Sequence, residues 1–121
     1  MEKEFSVLPV ITKKDNPEIS MSVIDIKGVG RYVANLENTS AYICIKGVVT
    51  FMMNKDGTFL RSDLTPGQSI KIPPETPYFD FSEKGGTLVA INKKAFDQAQ
   101  VVELPMPEIL THQLRIKSLL G

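Results

Sequence analysis

The sequence contains only one cysteine, one histidine and no apolar run long enough to cross a membrane. Because Cys44 has no partner, an internal disulfide is excluded, and together with five methionines this is typical of a reducing compartment. Fourteen basic residues balance fourteen acidic ones, so no net charge favours nucleic acid or a membrane surface as partner. The first residues lack the basic segment and long apolar core of a secretory signal, so we expect a cytoplasmic protein.

The length and composition predict one globular domain. A chain of 121 residues leaves room for a single hydrophobic core, so we expect one domain over residues 1–121. Hydrophobic residues make up 42% of the sequence and charged residues 23%, which is ordinary for a globular protein.

Short β-branched and aromatic stretches, separated by turn residues about every ten positions, predict an all-β sandwich or barrel. Residues 41–54 form the longest of these stretches, and Gly47 in its middle predicts a bend or a close approach of another backbone segment. Asp56 and Gly57 predict a tight hairpin before the returning strand. Residues 19–27 change phase between Val23 and Ile24, which predicts a bulge or a strand buried on both faces. The remaining strands are predicted at 4–12, 31–36, 58–64, 70–72, 78–81, 87–92 and 101–104, with a turn at 83–86.

The two ends of the chain are predicted to extend the barrel. Residues 4–12 read as an edge strand in which Pro9 limits further pairing. Residues 106–119 read as a helix, because Pro107 suits its first turn and Arg115 and Lys117 suit its last turns. One broad side of this helix is apolar.

A proline corner lies between two of the predicted strands. The strand at 70–72 is stopped by Pro73 and Pro74, since proline cannot continue a sheet ladder, and Tyr78 opens the next strand. A turn at Thr65, Pro66 and Gly67 precedes the corner.

The glycines and prolines of this pattern resemble the two motifs of the cupin superfamily, which are small jelly-roll barrels. The first family motif is Gly, five residues, His-x-His, three or four residues, Glu, six residues, Gly. Its spacing fits Gly28 to Gly47, with Ala34 and Leu36 in place of the histidines and Ser40 in place of the glutamate.

The second family motif is Gly, five residues, Pro-x-Gly, two residues, His, three residues, Asn. Gly67 and Pro73 match it, whereas Glu75 replaces the glycine, Tyr78 the histidine and Ser82 the asparagine. The stretch at 89–97 is also similar to the tail of many small cupins. The resemblance implies a cupin double-stranded β-helix over residues 19–104, with an N-terminal strand extension and a short C-terminal helix.

The residues at the motif positions predict that the metal site of the family is missing. A cupin metal is held by imidazole and carboxylate donors from several strands. Alanine and leucine offer no donor, and serine and tyrosine are poor ligands for a divalent ion near neutral pH. We therefore expect no metal and no cofactor.

Strand alternation predicts which side chains would line the barrel mouth. If no bulge intervenes, Tyr32 is in phase with Ala34 and Leu36, and Asp80 is in phase with Tyr78. The candidate ligand-binding residues are Tyr32, Leu36, Ser40, Tyr42, Cys44, Tyr78 and Asp80. Such a pocket would be mostly apolar with a few polar groups, as small-ligand sites usually are. The alternative is that these side chains fill a closed barrel.

Three functions are compatible with the sequence. The first is a metal-free protein that binds a small molecule, such as a sugar or related metabolite, without catalysis. The second is a metal-independent sugar isomerase or epimerase, with Asp80 as the one carboxylate that could act as base. The third is a structural or interaction module with a closed barrel. His112 lies outside both motifs and reads as a surface or packing residue, and we expect a homodimer in each case.

Overall fold

A computed structural model describes residues 4–106, which form nine strands and one short 3₁₀ turn. The helix predicted at 106–119 begins at the last described residue and so lies outside this part of the chain. The strands are β1 (Glu4–Ile11), β2 (Ile19–Val29), β3 (Val33–Asn35), β4 (Thr39–Gly47), β5 (Val49–Lys55), β6 (Thr58–Leu64), β7 (Ser69–Ile72), β8 (Tyr78–Lys93) and β9 (Val101–Glu103).

Strand β8 organises the sheet because it is shared by two halves. Its first part pairs with β3 and β5, and its second part pairs with β2 on one side and β4 on the other. Strand β1 then extends β2, β7 extends β4, β6 extends β5 and β9 extends β3. All of these pairs are antiparallel, and the sheet curls so that its two halves face each other, as in a jelly roll.

The turn predicted at 83–86 is wrong, because β8 runs through these residues as a strand. Gly85 has a φ of 99°, which re-aims the strand without ending it. The two strands that pair with β8 beside Gly85 both change register there. Strand β2 shifts between Ile26 and Gly28, and β4 shifts between Cys44 and Lys46. Gly85 and Gly86 therefore make a bend in β8, and this bend lets the one strand pair in both halves of the sheet.

The phase change in β2 was predicted to come from a bulge or from apolar residues on both faces of the strand. The structure shows the second of these. Pairing with β1 and β8 is regular through Val23 and Ile24, so no bulge lies between them. Ile26 is buried on the inner face, whereas Met21 and Val23 on the opposite face are half-buried.

The predicted hairpin and proline corner are confirmed. Asp56 and Gly57 have φ angles of 53° and 88° and connect β5 to β6. Strand β7 ends at Ile72, immediately before the two prolines, and Glu75 has a φ of 61°. The second cupin motif has a glycine at this position, and the left-handed angle explains why, since glycine adopts it without steric cost.

The hydrophobic core lies between the two halves of the sheet. Its fully buried members include Phe51, Val49 and Leu88, and Tyr42 packs among them. A second, smaller cluster of Tyr32 and Phe79 lies on the other side of the first part of β8. The core packs most of the barrel interior and leaves a cavity at one end.

Candidate functional site

A cavity of about 240 Å³ opens between the two halves of the sheet, at the end where β8 begins. Its volume is just below the range of about 300–1,000 Å³ that is usual for small-molecule sites. Seven of the fifteen residues that line it are apolar. The other eight carry polar groups, namely Ser22, Arg31, Asn35, Tyr42, Tyr78, Asp80, Asn92 and Gln98.

Two tyrosines form the centre of this cavity wall. The hydroxyl oxygens of Tyr42 and Tyr78 lie 2.6 Å apart and share a hydrogen bond. Phe51 is fully buried beneath them, with its ring centre 5.0 Å from that of Tyr42 and 6.2 Å from that of Tyr78. Because β4 and β8 hold the two tyrosines and β5 holds Phe51, three strands fix the position of the hydroxyl pair.

Burial keeps both phenols protonated. It raises the pKa of Tyr42 to about 12, and the negative charge of Asp80 adds to this increase. The pKa of Tyr78 is raised well above its ordinary value, first by burial and then by the neighbouring Tyr42 and Asp80. Since one hydroxyl proton makes the bond between the tyrosines, the proton of the other hydroxyl can be donated to a different acceptor. The pair can therefore donate one hydrogen bond and accept another.

Ser40 stands at the motif position of the metal-binding glutamate and has a different role here. Its hydroxyl donates a 2.6 Å hydrogen bond to the side-chain oxygen of Asn92, which lines the cavity. Both residues are buried on facing positions of β4 and β8. Ser40 therefore lies behind the cavity wall and orients an amide that belongs to it.

Besides Ser40, three more of the predicted lining residues, Tyr32, Leu36 and Cys44, lie outside the cavity, so four of the seven do not line it. Tyr32 lies in the loop between β2 and β3 and is buried against Phe79, and its hydroxyl accepts a 3.1 Å hydrogen bond from the Asn54 amide. Leu36 follows the end of β3 and is 42% exposed. Cys44 is fully buried deeper in the core.

The phase of β3 is also the reverse of the predicted one. Val33 and Asn35 line the cavity, whereas Ala34, at the position of the first motif histidine, is buried away from it. The motif spacing located the strand correctly. The alternation also holds from Arg31 through Val33 to Asn35, but with the phase opposite to the predicted one, because spacing alone does not say which side of a strand faces inward.

Several lining residues come from segments that neither the motifs nor strand alternation connects. Phe5 and Val7 are on the edge strand β1, Arg31 is in the loop before β3, and Gln98 is in the 3₁₀ turn. These segments are distant in the sequence and meet only through strand pairing. Asn35 and Asn92 could have been suspected as buried amides in apolar strands, which are rare without a partner.

The side chains that line the cavity do not fit the metal site of the cupin superfamily. The cavity-facing residues near the motif positions are Val33, Asn35, Tyr78 and Asp80, with Ser40 bonded to an amide. Within residues 4–106, no three histidine, cysteine, aspartate or glutamate side chains come together as a metal site would require. A single carboxylate with neutral phenols and amides is a weak donor set for a divalent ion.

A larger groove of about 630 Å³ lies around the bend of β8 and shares Phe5 with the cavity. It is shallow and open, and its lysines Lys27, Lys46 and Lys84 are exposed to solvent. Buried polar side chains do not converge there as they do around the tyrosine pair. We therefore take the smaller cavity as the candidate site.

Comparison with solved structures identifies the fold as the cupin type, a double-stranded β-helix. KdgF from Halomonas sp. is similar with a TM-score of 0.65 at 14% identity, over 78% of this chain and 83% of that protein. Ectoine synthase from P. lautus gives 0.64 at 15% identity, over 85% and 78%. An oxalate oxidase bound to the substrate analogue glycolate gives 0.71 at 16% identity, over 92% of this chain and 65% of the oxidase.

These similarities establish the fold alone. No protein-family model and no curated protein matches the chain. Proteins with this fold carry out unrelated chemistry, so function has to be argued from the site itself. Residues 4–106 contain no helix with the length and apolar character of a membrane span.

Proposed function

We propose that this chain is a metal-free cupin-type protein that binds a small polar molecule, a sugar or related metabolite, without catalysing its conversion. The hydroxyl pair of Tyr42 and Tyr78 beside Asp80, inside a walled cavity, is the observation that carries the proposal. The single cysteine, which can form no internal disulfide, favours a cytoplasmic site of action.

The chemistry of the lining supports a ligand that is rich in hydroxyl groups. Amides and hydroxyls both donate and accept hydrogen bonds, which matches the dual character of a sugar hydroxyl. Asn35, Asn92 and Gln98 supply the amides, and the tyrosine pair supplies the hydroxyls. Apolar side chains such as Val33 and Val101 offer contact surface for the C–H groups of the same ligand.

Sugar isomerisation or epimerisation is less well supported by the site. The raised pKa values of Tyr42 and Tyr78 leave both phenols neutral near pH 7, so they can donate a proton but cannot act as bases. Asp80 remains the one candidate base in the described cavity lining. A closed structural barrel is disfavoured because a cavity is present. Polar groups of Tyr42, Tyr78 and Asn92 line this cavity, whereas a solid core would cover them.

A direct test of binding uses a panel of hexoses, uronic acids and hexose phosphates. We expect at least one class to show saturation-transfer NMR signals and to raise the melting temperature of the protein. The Tyr78→Phe variant should bind that compound about 5- to 10-fold more weakly, since one hydrogen bond contributes about 1 kcal/mol. Unchanged affinity would remove the hydroxyl of Tyr78 from the site.

Tyr32→Phe is the matched control for that variant. It also removes one phenolic hydroxyl, but from a residue whose bond is to Asn54 and which lies outside the cavity. We expect its affinity for the same compound to equal that of the wild type. Equal losses in both variants, or no binding by any compound of the panel, would contradict the proposal.

Metal content tests the metal-free part of the proposal. We expect protein purified without a metal-binding tag to contain far less than one Fe, Mn, Zn or Ni atom per chain by elemental analysis, because the donor set is weak. Dialysis against EDTA should leave its melting temperature unchanged. Stoichiometric metal that survives gel filtration would overturn this part of the proposal.

Exchange with deuterated solvent separates binding from epimerisation. A binder should return its bound sugar with no deuterium incorporated at carbon after long incubation in D₂O. Deuterium gained at one carbon, and lost in the Asp80→Asn variant, would establish the epimerase alternative instead.

A further inference from the structure

Four buried polar residues meet at one end of the candidate cavity, and we call this group the amide end. They are Asn35 on β3, Asn38 in the connection to β4, Ser40 on β4 and Asn92 on β8. Asn35 and Asn92 line the cavity and are each 7% exposed. Buried polar groups cost free energy unless they are hydrogen-bonded, so the partners of these side chains show what the group is built to do.

The side-chain oxygen of each lining amide is already occupied. The backbone N–H of Asn38 donates a 3.2 Å hydrogen bond to Oδ1 of Asn35, and the Ser40 hydroxyl donates one of 2.6 Å to Oδ1 of Asn92. Asn38 is held in turn, because its own amide donates a 2.9 Å hydrogen bond to the carbonyl oxygen of Lys94. The segment from Asn38 to Ser40 therefore orients both lining amides, with their oxygens turned towards it.

The nitrogens of the same two amides are left for a ligand. Within residues 4–106, neither Nδ2 of Asn35 nor Nδ2 of Asn92 has a hydrogen-bond partner. Every fully enclosed side-chain nitrogen or oxygen of these residues does have one, so the two nitrogens are not enclosed. The open space beside them is the cavity that both residues line. An amide nitrogen donates hydrogen bonds and accepts none, so these two side chains offer donors alone.

The one carboxylate of the described cavity lining, Asp80, lies away from the amide end. Val33 and Tyr78 face each other in strand register. Asn35 and Asp80 lie two residues from that pair in opposite directions, since the strands are antiparallel. Four residue positions span about 13 Å along a strand, which exceeds the screening length of about 8 Å at physiological ionic strength. Asp80 therefore repels an anion at the amide end only weakly.

Arg31 is the one cation of the described cavity lining, and it belongs to the Asp80 end. Gly30 donates its N–H to the carbonyl oxygen of Asp80 at 2.7 Å, and Arg31 follows Gly30 directly. Nε of Arg31 is also 3.8 Å from a carboxylate oxygen of Glu103. The positive charge of Arg31 therefore lies beside carboxylates of the protein and away from the amide end.

We infer, on the basis of the proposed function, that the amide end binds the carboxylate of a hydroxylated acid such as a sugar acid. A carboxylate offers two acceptor oxygens in one plane, and hydrogen bonds to an ionised acceptor are roughly twice as strong as neutral ones. A phosphate carries more negative charge and is usually bound by cations, whereas none of the four residues of the amide end is charged. The hydroxyl groups of the acid then extend towards the tyrosine pair.

Matched pairs of compounds test the carboxylate with the wild-type protein. Glucuronate, galacturonate and mannuronate are each titrated calorimetrically beside the hexose of the same configuration and its phosphate. We expect the acid of at least one pair to bind about 10-fold or more tightly than its hexose. The carboxamide of that acid has the same shape but replaces one acceptor oxygen with a donor, so it should lose this advantage.

The titrations distinguish failure of the inference from failure of the proposed function. A hexose that binds as tightly as its acid, or binding of hexose phosphates alone, would overturn the inference and leave the proposed function standing. Binding of none of these compounds would contradict the proposed function and the inference together.

The Asn35→Asp variant tests the amide end itself. Aspartate keeps an oxygen for the backbone N–H of Asn38, but it replaces the amide nitrogen with a second oxygen and adds a negative charge. We expect the affinity for the acid to fall about 20-fold or more, and the affinity for the hexose to change less than about 3-fold. Asn92→Asp makes the same change on β8 and should have the same effect, so the test stands if one variant does not fold.

Asn54→Asp is the matched control. The side-chain oxygen of Asn54 also accepts a backbone N–H, from Gly57 at 2.9 Å, but Asn54 does not line the cavity. Its affinity for the acid should equal that of the wild type. Loss of the acid preference in an Arg31→Gln variant, together with its retention in Asn35→Asp, would place the carboxylate at the Asp80 end and overturn the inference.

Discussion

The Leu88→Ala substitution should lower the free energy of unfolding by about 3 kcal/mol. Leu88 is fully buried in the part of β8 that is paired on both sides, and it belongs to the core that packs around Tyr42 and Phe51. Removing its side chain leaves a cavity that strands paired on both sides cannot close, and such truncations cost about 2–5 kcal/mol. Urea unfolding followed by circular dichroism measures the loss.

Leu60→Ala is the matched control for this truncation. Leu60 lies on β6 and is 43% exposed, so the same atoms are removed from a side chain that already has much of its surface in water. We expect a loss below about 1 kcal/mol. Similar losses for the two variants would mean that the inner face of β8 does not form the core. The larger loss should also weaken ligand binding, because the core supports the tyrosine pair.

The Gly47→Ala substitution should be at least as disruptive, with a loss above about 3 kcal/mol or a failure to fold. Gly47 has a φ of 72°, a conformation that costs alanine about 1–2 kcal/mol. A Cβ at this position would also collide with the carbonyl oxygen of Gly85 and lie 3.0 Å from the Cα of Gly86. Because both contacts are with backbone, the bend of β8 would have to move away from β4.

Gly67→Ala separates the collision from the backbone angle. Gly67 has a similar φ of 93°, but a Cβ there has no atom within 4 Å. We expect a loss of about 1 kcal/mol in the same unfolding measurement, with normal expression. Equal losses at the two glycines would show that close approach between β4 and the bend of β8 does not matter for stability.

The fold was predictable because its signals are local. Aspartate and glycine at 56–57 select a tight turn by their backbone preferences alone, and Pro73 ends β7 because proline lacks an N–H group. The bend at Gly85 was mistaken for a turn for the same reason, since glycine marks both. Only pairing partners on either side show that β8 continues through it.

The candidate site was only partly predictable. Tyr42, Tyr78 and Asp80 follow from the alternation of two regular strands, β4 and β8, and they do line the cavity. Tyr32 and Leu36 do not line it, because the alternation around β3 has the opposite phase and brings Val33 and Asn35 to the cavity instead. Arg31 and Gln98 reach the cavity from loops, and loop conformation depends on contacts that are distant in the sequence.

The sequence by itself determined that this is an all-β cupin-type barrel whose motif positions carry no histidine. Those conclusions rest on residue identity and short-range spacing, which survive without coordinates. Tertiary structure decided that the barrel has a cavity, that Tyr42 and Tyr78 share a hydrogen bond there, and that Val33 and Asn35 rather than Ala34 face it. It decided them because side-chain direction depends on strand register, and register is set by pairs of residues far apart in the chain.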